Sequence, residues 1–109
     1  MELAVERIVT VFRETGTAYT FQLAEAMAAA GVGLGLEPET AVLVARETVA
    51  GAGFLLAEDG ANPAALRSEM ASRGTMTERA IAVFDELGLL SLVAAGLRSA
   101  VEQEATQRG

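Results

Sequence analysis

The chain has 109 residues, enough for one domain, and 51% of them are apolar although aromatics supply only 5%. Cysteine, histidine, tryptophan and lysine are all missing, which excludes a thiol nucleophile, a histidine base or triad, a Schiff-base lysine and a thiolate or imidazole zinc site. A net charge of -7, with eight arginines dispersed among fifteen acids, offers no basic stripe, so nucleic acid is not an expected partner.

Residues 2–13 place Leu3, Val5, Ile8, Val9, Val11 and Phe12 along a helical stripe, with Glu2, Glu6, Arg7 and Arg13 opposite, which predicts an amphipathic first helix. No long apolar run precedes it, so no signal peptide is read. Thr15 and Gly16 are expected to break this helix, and Thr17 to cap a second one reaching about Ala30. Gly31, Gly33 and Gly35 then form a turn. A third helix is expected from Pro38, a good first-turn residue, with Glu37 and Glu39 at the positive end of its dipole.

From Ala41 to Ala57 this helix is apolar around nearly its whole circumference, with Val42, Leu43, Val44, Val49, Phe54, Leu55 and Leu56 covering every face. Such a helix has to be surrounded. A domain this small cannot wrap it alone, so a second copy of the chain is the simplest cover, and Ala45, Ala50, Gly51, Ala52 and Gly53 let a neighbouring backbone approach. The same stretch is the one membrane candidate, but it is short for a span and carries Arg46 and Glu47 near its middle. Glu58, Asp59 and Gly60 end it. Asn62 and Pro63 are a cap and first-turn pair for a short helix to about Ala71. Thr75 with Glu78 has capping-box spacing, with Thr77 as an alternative cap, for a fifth helix to about Leu87, and Gly88 interrupts before a last helix from about Leu90 to Thr106. In that last helix Leu92, Val93, Leu97, Ala100 and Val101 are expected inward and Arg98, Glu102 and Glu104 outward. The pattern is all-α, with five to six helices.

Read in order, Thr15-Gly16-Thr17-Ala18-Tyr19, Glu25-Ala26-Met27, the run from Ala30 to Leu36, Glu47-Thr48-Val49-Ala50-Gly51, the run from Asn62 to Leu66 and the run from Ser72 to Thr77 resemble successive signatures of the pyrroline-5-carboxylate reductase family. The resemblance covers roughly residues 15–105, leaving residues 1–14 as an N-terminal amphipathic helix ahead of the family-like domain. It implies an intertwined helical homodimer, of the kind formed by C-terminal domains of the 6-phosphogluconate dehydrogenase type, with the long apolar helix in the interface. Tyr19, Val44, Glu47, Thr48, Gly51 and Leu55 are the interface residues it points to. In the complete family enzyme, NAD(P)H on a Rossmann domain reduces pyrroline-5-carboxylate in proline biosynthesis. The glycines from Gly31 to Gly35 have neither a preceding strand nor the G-x-G-x-x-G spacing of such a domain. The expectation is therefore a stand-alone dimerisation domain in the cytoplasm that holds no cofactor or metal and does not reduce substrate by itself. A separate Rossmann protein completing a reductase, or a redox-free enzyme or binder of a small proline-like carboxylate, is the alternative.

One segment carries possible chemistry. The family loop resembling Ser72, Arg73, Gly74, Thr75, Met76 and Thr77 cradles the substrate carboxylate, as unpaired N–H groups at a helix start can. Arg73 and Thr75 depart from the family's proline and glycine. The bland reading is a capped turn with an exposed arginine; the functional one is retained anion binding. Glu47 and Thr48 read as a hydrogen-bonding interface pair rather than an acid and its helper, and Tyr19 as a core or interface aromatic rather than a proton donor.

Overall fold

A computed structural model of the chain describes residues 3–72 and 75–108, apart from the side chains of Thr75 and Arg108. Five helices follow one another: α1 (Val5–Gly33), α2 (Pro38–Leu56), α3 (Pro63–Ser72), α4 (Thr75–Leu87) and α5 (Leu89–Arg108). Among the described residues there is no strand.

The expected break at Thr15-Gly16 is absent, and α1 runs unbroken for 29 residues. A single glycine costs a helix only about 1 kcal/mol, and the threonines turn their hydroxyls back into the helix instead of capping a new one. Thr17 Oγ1 donates to the Arg13 carbonyl at 2.7 Å and Thr10 Oγ1 to the Glu6 carbonyl at 3.1 Å, the i−4 pattern that leaves a helix intact. Two expected helices are thus one. It ends where glycine permits: the Leu36 amide donates to the Gly31 carbonyl and the Gly35 amide to the Val32 carbonyl. Gly35, at φ 113°, takes the left-handed position of this paired-bond ending.

The other boundaries follow the local chemistry. Pro38 opens α2, whose preceding Glu37 is extended and makes no side-chain cap. Asn62 caps α3 through its Oδ1, which accepts from the Ala65 amide at 2.9 Å. Gly88, at φ 90°, separates α4 from α5, and the two are bent by 51° there.

The chain divides into two compact units, one built from the residues up to Tyr19 with those from Arg79 onward, the other from Thr20–Glu78. In the first, Val11 of α1 and Ala105 of α5 are buried. Val93, Leu97, Ala100 and Val101 are half-buried on the same stripe of α5 as Ala105. Leu92, expected inward, is 71% exposed, because it falls about 100° of helix rotation away from Val93. The expected stripe on α1 holds only in part: Val11 is buried and Glu6 and Arg13 are exposed as expected, but Val5, Ile8, Val9 and Phe12 are exposed too, and Arg7, expected outward, is half-buried and forms an ion pair with Glu104 of α5. Glu104 is accordingly half-buried instead of outward.

In the second unit, Ala41 and Ala45 of α2 are buried, one helical turn apart on a single face. A methyl group added at Gly31 of α1 would lie 3.3 Å from the Ala41 Cβ and 3.2 Å from the Leu36 Cδ1. Glycine and alanine thus let the end of α1 and the start of α2 approach closely.

Candidate functional site

The large apolar residues of α2 stay exposed around the helix. Val42, Leu43, Val44, Phe54, Leu55 and Leu56 are all at least two-fifths exposed, Phe54 at 67%. The helix is apolar on nearly every side, as its sequence demands, yet only Ala41 and Ala45 are buried. Small residues sit in the seam because close helix approach selects them; the bulky ones are left over for something else.

Two stripes divide that outer surface. Val44, Glu47, Thr48, Gly51 and Leu55 share one at i, i+3, i+4, i+7 and i+11, and every one of them is exposed. Thr48 Oγ1 donates to the Val44 carbonyl at 2.7 Å, so this hydroxyl is held along its own helix and is not bonded to Glu47. A methyl group placed at Gly51 or Gly53 would meet no atom within 4 Å. If those glycines make room for a neighbour, the neighbour is not in this chain. The second stripe, Pro38, Glu39, Val42, Leu43 and Arg46, lines a shallow groove. It was not singled out from the sequence, although its i, i+3, i+4, i+7 spacing is readable there.

The remaining expected site residues lie elsewhere. Tyr19 belongs to the other unit, half-buried, with its ring end 3.7 Å from where a methyl group at Gly16 would be. In the segment from Ser72 to Thr77, Ser72 ends α3 and its hydroxyl donates to the Glu69 carbonyl at 3.0 Å. Arg73 and Gly74 lie outside the described residues, Thr75 is the first residue of α4, Met76 is 82% exposed and Thr77 half-buried. Among the described residues no three carboxylates come together in a way that could hold a metal ion.

No single helix among the described residues is long and apolar enough to cross a membrane. That includes α2, the stretch the sequence offered. By length and composition alone only the bent pair of α4 and α5 passes, taken together, and its break at Gly88 interrupts any straight span.

Residues 6–107 match the family model described as pyrroline-5-carboxylate reductase dimerisation. The chain belongs to that dimerisation family. Among relatives, the pyrroline-5-carboxylate reductase of Pseudomonas aeruginosa is 37% identical over 97 residues, covering 89% of this chain and 36% of the relative. Pyrroline-5-carboxylate reductase 2 of Bacillus subtilis is 40% identical over 70 residues, 64% of this chain and 25% of the relative. The Arabidopsis thaliana reductase is 38% identical over 69 residues, 63% of this chain and 25% of the relative. The chain thus spans about a third or less of the length of these curated relatives. No solved structure matches it. The all-α fold, the exposed α2 and the family match agree on a helical dimerisation module.

Proposed function

We propose that this chain pairs with a second copy of itself as an intertwined helical homodimer of the 6-phosphogluconate dehydrogenase C-terminal type. The stripe of Val44, Glu47, Thr48, Gly51 and Leu55 on α2, with Tyr19 of α1, lies in the interface. The observation that carries this reading is the apolar surface of α2: Val42 to Val44 and Phe54 to Leu56 are each 44–67% exposed, and large exposed apolar side chains grouped on one helix mark an interaction surface. Sedimentation equilibrium at micromolar concentration tests the reading: a particle of at least twice 11.3 kDa is expected, and a folded single-copy particle overturns it.

A second reading draws on the relatives, which are named as pyrroline-5-carboxylate reductases. In it the dimer forms part of a pyrroline-5-carboxylate reductase whose NAD(P)H site is supplied by a separate nucleotide-binding protein, and the segment Ser72 to Thr77 receives the small carboxylate at the start of α4. A thermal shift with proline-like carboxylates that Arg73→Ala abolishes supports this; no shift at millimolar ligand counts against it.

A further inference from the structure

The groove stripe of α2 has a property that the interface stripe lacks: it is its own complement under a two-fold rotation. Glu39, Val42, Leu43 and Arg46 lie at i, i+3, i+4 and i+7 on one face, with an acid at one end, a base at the other and two apolar residues between. The midpoint between Val42 and Leu43 is equally far from Glu39 and Arg46, which are separated by about 10 Å along the helix axis. Turning a second α2 antiparallel about that midpoint puts each Glu39 opposite the other copy's Arg46 and the apolar pairs against each other. An isologous contact requires this reciprocity.

The charges are available for it. Glu39 has no base, and Arg46 no acid, three or four residues away in α2, so neither is satisfied along its own helix. Neither makes an ion pair among the described residues. Val42 and Leu43 are each about half exposed. The groove lies wholly within the unit Thr20–Glu78. On the helix it is centred roughly 145° from the stripe running from Val44 to Leu55, so the two can be occupied at once.

We propose that this groove is a two-fold contact between copies of the chain, with α2 helices antiparallel and Glu39 paired to Arg46 of the second copy at both ends. The inference rests on the reading that the chain self-associates, and it adds the register and polarity of one contact. It calls for a second copy rather than an unrelated partner because the pattern matches itself.

Charge reversal tests it. Glu39→Arg alone sets arginine against arginine at both ends, and Arg46→Glu alone sets glutamate against glutamate. Each variant should raise the dissociation constant about tenfold in sedimentation at low salt. An equimolar mixture of the two variants should recover it, because every end then joins opposite charges. The double reversal Glu39→Arg/Arg46→Glu in one chain should recover it as well, with the same composition as the parent, and circular dichroism checks that each variant folds. If the parent chain associates but the single reversals leave it unchanged, the groove belongs to solvent or another kind of partner and the proposal is overturned. It is overturned equally if the mixture associates no better than either variant alone. A parent chain that stays single sinks the self-association reading itself, and the groove proposal with it.

Discussion

Replacing Gly51 with alanine gives opposite outcomes for a lone chain and for a dimer. Within the chain, the new methyl group meets no atom within 4 Å, and an interior helical glycine costs roughly 0.5–1 kcal/mol relative to alanine. Folding of the chain itself should therefore gain by that amount, raising Tm by about 4–8 °C per kcal/mol for a domain of this size. In a dimer built on the stripe from Val44 to Leu55, Gly51 sits between Thr48 and Leu55 where a twin backbone approaches most closely. There the methyl group overpacks the contact, at a typical cost of about 1–3 kcal/mol, weakening association by roughly ten- to a hundredfold. Thermal unfolding over a concentration series, with sedimentation on the same samples, separates the two effects, because association makes Tm depend on concentration and helix propensity does not. The variant should melt higher when dilute and show a shallower rise with concentration. An equal gain in Tm at every concentration, with association unchanged, would refute the placement of Gly51 in the interface.

Gly88→Ala should cost about 1–2 kcal/mol, because φ is 90° there while the added Cβ only touches Ser91 at 3.9 Å; the loss is backbone strain, read as a lower Tm. Asn62→Ala removes the 2.9 Å cap on the Ala65 amide and should cost about 1 kcal/mol, with Asn62→Ser or Asn62→Asp largely restoring it. The ion pair between Arg7 and Glu104, whose side chains are 37% and 20% exposed, should show a coupling of no more than about 1 kcal/mol in a double-mutant cycle. Because the Arg7 Nε is buried without a partner, joint replacement by methionine and leucine should leave Tm unchanged or higher. A large drop in the joint variant would mean the pair contributes more than solvent screening allows.

Much of the fold was legible because the decisive signals are local. Pro38 at the head of α2 and Gly88 between α4 and α5 act through their own backbone, Asn62 through a side-chain cap three residues on, and each element begins or ends where they stand. Thr17 misled because its hydroxyl serves two purposes: it can cap a helix or bond back four residues, and only the flanking turns decide. The inward face of α1 was not legible for a different reason. Val5, Ile8, Val9, Val11 and Phe12 form a periodic set in either orientation, and Arg7 bonds Glu104, 97 residues away in sequence, a pairing that no local pattern announces. On α2 periodicity shows both outer stripes, since every face is apolar, but it cannot say that the alanines Ala41 and Ala45 take the seam. That depends on Gly31 arriving from another helix.

The same arrangement limits how self-association can be built. The six large residues of α2 named above are each about half covered already, so completing their burial yields about 1 kcal/mol apiece, near 12 kcal/mol for a pair of chains. Association itself costs an estimated 4–15 kcal/mol before any side chain is ordered. The outer face of α2 is therefore close to break-even, and a tight dimer needs further apolar surface. Two sources are at hand. Val5, Ile8, Val9 and Phe12 line one face of α1 at i, i+3, i+4 and i+7, and Phe84, Leu87, Leu90 and Leu92 crowd the bend at Gly88. A module that buries only one valine and three alanines among its described residues holds most of its hydrophobic free energy in reserve for contacts between chains, and a stable dimer must engage more than one of its helices.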